Sequence, residues 1–251
     1  MRSFIGWIGG KNILKKVIIP MIPEDCDRYI EVCGGAGWVL FGKEQKPKQM
    51  EVFNDADSNL INLYLQIKNN CNELCKEIDK LHSRELFERY RNNFIDFVPL
   101  TDIERAAQFF YLIKCSFGSN RYSFATASKN LNRATEYLKD ICKRLEKVVI
   151  ENKDFERLIK TYDRSTALFY VDPPYVGTEK YYNGQFTYED HKRLNRILSG
   201  IKGRFILSYN DCEFVRELYK DFNIIEVSRK NLLAGKSESR GEFKELIIRN
   251  Y

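Results

Sequence analysis

Asp172, Pro173, Pro174 and Tyr175 close the apolar run Ala167 to Val171, and they combine an acid, a stiff backbone and a flat ring. The run is short and rich in aromatic and β-branched residues, which predicts a buried strand. Neither proline can donate to a sheet ladder, and each fixes its own φ. Asp172 is therefore expected at the strand's carboxyl end, with Tyr175 just beyond. A carboxylate and a neighbouring carbonyl accept two hydrogen bonds, and a ring accepts a stacked base. That set suits an exocyclic amine on a planar heterocycle, such as the adenine amino group. An ordinary strand-ending turn explains the same four residues, and both readings stand at this point.

The elements that would position such a site can be read along the chain. Gly9, Gly10 and Lys11 lead into helical apolar spacing from Asn12 to Ile19, ended by Pro20. Arg28 to Cys33 reads as a strand, followed by Gly34-Gly35-Ala36-Gly37 and the apolar run Trp38 to Phe41. A strand, a glycine turn and a helix let backbone approach a nucleotide-like ligand. Leu40 stands where a dinucleotide fingerprint needs its third glycine, which argues against a pyrophosphate cofactor. A second strand, Met50 to Asn54, ends at Asp55, where an acid commonly binds ribose hydroxyls. Asp57 or Ser58 is the expected cap of the next helix. Strand signals return at Lys147 to Glu151, Ala167 to Val171, Arg204 to Tyr209, Asn223 to Arg229 and Lys244 to Arg249. Thr187 and Asp211 are the expected caps of helices between them. The expectation is an α/β protein with a seven-stranded doubly wound, Rossmann-like sheet and a mostly helical insertion after the second strand.

Composition narrows the function classes. The chain has 251 residues, and no stretch approaches the ~20 apolar residues that span a bilayer. Met1 to Gly10 lacks the apolar core of a signal peptide. Seven scattered cysteines with no Cys-x-x-Cys, and two distant histidines, predict reduced thiols and no metal site. The net charge is +6, and residues 114–147 carry eight Lys or Arg against three acids. A basic segment of this kind suits a polyanion or a solvated helix face.

Four motifs in order resemble the Dam-type family of adenine-specific DNA methyltransferases, which use S-adenosylmethionine (SAM). They are Trp7-Ile8-Gly9-Gly10-Lys11, Glu31-Val32-Cys33-Gly34-Gly35-Ala36-Gly37, Asn54-Asp55-Ala56-Asp57 and Asp172-Pro173-Pro174-Tyr175. The family usually has Pro-Phe where this chain has Val32-Cys33. The resemblance implies that residues 1–68 and 147–251 form the catalytic domain and residues 69–146 a helical target-recognition insertion. It implies that Trp7, Lys11, Glu31, Gly34, Gly35, Gly37, Asp55 and Asp172 line the SAM site, with Asp154 and Phe155 bordering its adenine. Asp172 and the Pro173 carbonyl would accept from the amine of a flipped-out adenine, and Tyr175 would stack on it, with no metal.

Duplex DNA is the implied partner. Thr101 with Glu104 predicts a capping box inside the insertion. Between its helices, Ser116 to Thr126 reads as a loop or hairpin. Asn120, Arg121, Tyr122, Lys129 and Arg133 are its candidate DNA contacts, Arg121 for a guanine edge; packing of the helical region accounts equally for the rings. Tyr181, in the loop Lys180 to Phe186, and Arg240, in Lys236 to Arg240, are further candidates. The resemblance also implies a cytoplasmic protein, bacterial or phage-encoded, with a cognate restriction enzyme as a candidate partner. Amine transfer to RNA or to cytosine N4, or a DNA-binding relative without catalysis, are the alternative readings.

Overall fold

A computed structural model of the chain describes residues 1–179, 186–230 and 242–251. Seven strands form one mixed sheet: β1 (Arg28–Glu31), β2 (Met50–Asn54), β3 (Val148–Glu151), β4 (Ala167–Val171), β5 (Arg204–Asn210), β6 (Asn223–Lys230) and β7 (Glu242–Arg249), in the order β3-β2-β1-β4-β5-β7-β6. All seven expected strands are present, with ends shifted by no more than two residues. The chain divides into two compact units, Met1–Ile19 with Gly34–Asn152, and Pro20–Cys33 with Lys153–Tyr251.

In the first unit β2 pairs in parallel with β3, with Phe53 opposite Ile150. The helices are α1 (Lys15–Ile18), α2 (Trp38–Gly42), α3 (Ser58–Asn69), α4 (Cys71–Glu77), α5 (Arg84–Ile95), α6 (Asp102–Cys115), α7 (Leu131–Glu136) and α8 (Leu138–Leu145). Asp57 caps α3 by accepting from the N–H groups of Asn59 and Leu60, and Thr101 with Glu104 closes the capping box of α6. Phe4, Phe41, Phe53, Tyr64 and Phe110 interlock edge-on and stacked, so α3 is bound to strand, turn and α6 by one aromatic core. The helix expected over Asn12 to Ile19 is shorter. Lys16 and Val17 bond back three residues rather than four, the tighter 3-10 pattern, so regular α-helix is confined to one turn.

Glu51, on β2, is buried and held on both sides. Arg144 of α8 forks onto it with bonds of 2.6 and 2.9 Å and also donates to the Leu40 carbonyl, while Lys43 lies 2.5 Å away. One guanidinium thus fastens α8 to β2, the strand that leads into Asp55.

In the second unit β1, β4 and β5 run parallel, while β7 is antiparallel to both β5 and β6. Every side chain of β4 is buried. The helices are α9 (Phe155–Tyr162), α10 (Tyr188–Ser199) and α11 (Glu213–Leu218). Thr187 caps α10 in a box with Asp190. Asp211 does not cap α11 as expected: Cys212 occupies that position without a side-chain bond. The Asp211 carboxylate is taken instead by Arg216, which binds both its oxygens at 2.6 and 2.9 Å. A paired guanidinium outcompetes a lone backbone N–H.

Breaking the Glu51 network should be costly, since it leaves a buried carboxylate with half its compensation. Arg144→Met is expected to lower unfolding free energy by about 3 kcal/mol. Urea denaturation followed by circular dichroism measures it, and an unchanged midpoint would remove the network's structural role.

Candidate active site

The first unit builds a concave cradle from backbone. β2 ends beside the glycine turn, where the Gly34 N–H donates to the Asn54 carbonyl at 2.8 Å. A Cβ on Gly34 would lie 2.1 Å from the Phe53 ring, so only glycine lets the turn sit this close to the strand. Gly35 adopts φ +49°, and a Cβ there would meet the Trp7 indole at 2.7 Å. The turn is closed by a Gly37 N–H bond to the Gly34 carbonyl.

Asp55 anchors this cradle. Its two carboxylate oxygens accept from the N–H groups of Gly35 (2.8 Å) and Asp57 (2.9 Å). Burial pushes the Asp55 carboxyl up to about 6, against those backbone donors, which favour the charged form. Its side chain is only half-buried, so an edge stays open to a ligand. Lys11 is almost wholly buried, and its ammonium is held 2.7 Å from the Gly9 carbonyl.

Arg121 lies against the same wall. It forms an ion pair with Asp57 at 3.1 Å, and its guanidinium rests 5.1 Å over Trp7 and 5.2 Å over Phe109. Its own φ is +67°, and its N–H donates to the Ser116 hydroxyl. The segment expected as a loop or hairpin is a narrow loop with one isolated bridge, Ser116 to Phe124, around a 3-10 turn at Phe117–Ser119. Asn120 stays within that loop, its carbonyl accepting from the N–H groups of Tyr122 and Ser123. Tyr122 and Arg133 are exposed, and Lys129 is partly so.

The second unit presents the Asp172 group. The Val32 N–H donates to the Tyr170 carbonyl at 2.9 Å, extending the pairing of β1 and β4 to the strand tips. The chain order departs in opposite directions at these two strands, and ligands of open α/β sheets bind at such switch points. Asp172 follows β4 with one carboxylate oxygen held by the Ser208 hydroxyl at 2.8 Å. Pro173 and Pro174 are buried, while Asp172 and Tyr175 keep partial exposure. The Tyr175 hydroxyl donates to Glu245 at 2.6 Å. Burial, with the charges of Asp172 and Glu245, raises that phenol well above its ordinary range, so it stays neutral. Glu31, at the tip of β1, is buried and accepts from the Tyr29 hydroxyl at 2.8 Å.

Asp154 caps α9 and is bound by Arg193 at 2.7 Å. Phe155 is buried beneath the same guanidinium, 4.1 Å from its ring, and packs against Phe186. Tyr181, Arg240 and the rest of 180–185 and 236–240 lie outside the described residues. Among the described residues no cluster of three or more His, Cys, Asp or Glu is arranged to hold a metal ion.

Sequence reasoning missed Ser208, Asn210 and Glu245. Their signal was a polar residue in a strand otherwise apolar: Ser208 follows Phe205-Ile206-Leu207, and Glu245 precedes Leu246-Ile247-Ile248. A buried polar side chain in such a setting needs a partner.

Comparison with known proteins adds an independent line. The D12 class N6 adenine-specific DNA methyltransferase family matches residues 7–232. The chain is 30% identical to a Type II methyltransferase of Lactococcus lactis subsp. cremoris (M1.LlaDCHI), across 100% of this chain and 96% of the relative. It is 27% identical, over the full length of both, to the Type II methyltransferase M.CviBI of Paramecium bursaria Chlorella virus NC1A. A DNA adenine methylase of Haemophilus influenzae is 25% identical, across 98% of this chain and 92% of the relative.

The Asp55 geometry makes a pH prediction. Its folded value of about 6 lies above the ordinary 3.8, so the folded chain binds that proton more tightly than the unfolded one. This contribution to stability is present below 3.8 and is lost as pH rises through about 6. Carbon-13 NMR of the carboxyl should show a midpoint near 6 that is absent in Asp55→Asn; a midpoint near 4 would contradict the burial.

Proposed function

Because the chain belongs to the D12 class of N6 adenine-specific DNA methyltransferases, we propose that its methyl donor is SAM, held by the cradle of the first unit, and that Asp172 to Tyr175 clamp the target amine. SAM, when bound, supplies a methyl group activated by a sulfonium. The residues fit its parts. The Asp55 carboxylate suits the ribose hydroxyls, and a turn that no side chain could fill at Gly34 and Gly35 lets backbone close on the ligand. Trp7 and Lys11 line the same glycine-rich surface. Glu31 and Asp172 supply negative charge at the switch point of the second unit. Asp154 and Phe155, engaged by Arg193, would border the cofactor's adenine through the N-terminal end of α9.

The observation that carries the assignment is Asp172 itself: a carboxylate at the end of a wholly buried strand, fixed by Ser208 and followed by two buried prolines. Asp172 and the Pro173 carbonyl accept from the two amine hydrogens of adenine, which leaves the nitrogen lone pair directed away from the clamp. Their negative charge favours the positive charge that grows on nitrogen as it is methylated. The neutral Tyr175 ring stacks on the base. An amine inside a duplex is out of reach of this clamp, so the adenine must be flipped out.

Residues 69–146 are proposed to read the DNA, with Tyr122, Lys129 and Arg133 supplying stacking and phosphate contacts and a salt-dependent affinity. A base contact by Arg121 requires its release from Asp57 and from two rings. Since two relatives are Type II methyltransferases, the chain is proposed to protect the site of a cognate restriction enzyme. No described helix is long and apolar enough to cross a membrane, and the proposed location is the cytoplasm, with the DNA.

Incubation with tritiated SAM and unmethylated duplex, followed by single-molecule sequencing, is expected to show N6-methyladenine at one defined sequence. Label on RNA alone would contradict the reading. Asp172→Ala is expected to lower turnover by at least about 10²-fold while SAM still binds; wild-type turnover would remove Asp172 from the clamp.

A further inference from the structure

Glu245 is only 1% exposed, and it lies on a strand whose neighbouring residues Leu246, Ile247 and Ile248 are all buried and apolar. A carboxylate in that place is strongly penalised by desolvation unless it is bonded. It accepts from the Tyr175 hydroxyl at 2.6 Å. Across the ladder Glu245 stands opposite Asn210. The Asn210 amide grips the backbone just after the ring from both sides: its carbonyl accepts from the Val176 N–H at 3.1 Å, and its NH₂ donates to the Val176 carbonyl at 3.3 Å. Ser208, two residues earlier on β5 and so on the same face, holds Asp172. Three polar side chains on one face of β5 and β7 therefore meet the catalytic segment at three points: its acid, its ring and the backbone beyond.

We propose that Glu245 is a positioning residue for methyl transfer, fixing the plane of the Tyr175 ring on which the target base stacks, with Ser208 and Asn210 holding the two flanks of that ring. The inference rests on Asp172 to Tyr175 being the amine clamp. Rotation of a tyrosine ring swings the face offered to a base, and two χ angles are all that the side chain has to set. A hydrogen bond at the far end of the ring, to an acceptor itself buried in the sheet, sets χ1 by anchoring the oxygen, and because a phenol O–H keeps to the plane of its ring, the direction of the acceptor sets χ2. Nothing in the bond involves the reacting nitrogen, so its loss should slow chemistry through misplacement of the base.

The test is a double-mutant cycle on the full chain, read as the single-turnover rate of methyl transfer to unmethylated duplex at saturating SAM. Glu245→Ala and Tyr175→Phe are each expected to slow transfer by about tenfold, with the pair no slower than either alone by more than about twofold. Glu245→Gln, which keeps an acceptor, should recover most of the rate. SAM affinity, measured by calorimetry, should stay within about twofold of wild type in each. Losses that multiply, or a wild-type rate in Tyr175→Phe, overturn the inference; the second result decides the matter even if Glu245→Ala does not fold. Asp172→Ala run alongside separates the two levels. If it transfers at the wild-type rate the clamp reading fails, whereas if it alone is slow only the role of Glu245 fails.

Discussion

A strand buried on both faces can leave its ladder only where the next backbone groups have other partners, and β4 does so at Asp172. Its five side chains are all buried, and neither of the two prolines that follow Asp172 can offer an N–H to a neighbouring strand. The chain must turn there, and Tyr175 and Val176 are then tied back to the sheet by Glu245 and Asn210. The position of the Asp172 carboxylate is thus decided by a constraint on backbone hydrogen bonding, and the proposed chemistry uses what that constraint leaves exposed.

The same economy runs through the electrostatics. Glu31 and Asp172 lie at the ends of β1 and β4, Glu245 lies on β7 opposite the last residue of β5, and each accepts from a hydroxyl donor: Tyr29, Ser208 and Tyr175. Each of these donors is neutral, and a hydroxyl bond leaves an acid its charge. In the proposed reaction the charge of Asp172 would face a nitrogen that turns positive. In the first unit the opposite device serves at Glu51, whose charge is fully paired by Arg144 and Lys43 and works only as a fastener. Asp55 falls between the two, bonded by backbone donors yet open at one edge.

Much of this was legible in the residue order. Strand ends fell where prolines, glycines and polar residues interrupt apolar runs, and the caps at Asp57, Thr101 and Thr187 are local bonds that spacing alone predicts. Asp211 is a case of local competition, drawn off the helix end by Arg216 five residues on. The other exceptions share a long-range cause: Arg121 is drawn to Asp57 and Trp7, partners 64 and 114 positions away in the chain. Ser208 and Glu245 reach the catalytic segment from strands 36 and 70 residues downstream. Propensity and spacing report short-range bonds; these side chains are decided by strand order and register, which a single sequence encodes only indirectly.

In the proposed mechanism the Asp172 carboxylate and the Pro173 carbonyl together accept the adenine amine. A crystal structure of the protein with unmethylated duplex and a non-reactive SAM analogue tests it most directly. The expected result is an extrahelical adenine stacked on Tyr175, its amine nitrogen about 3 Å from both acceptors. An adenine still paired in the helix, or an amine bound by other groups, would contradict it.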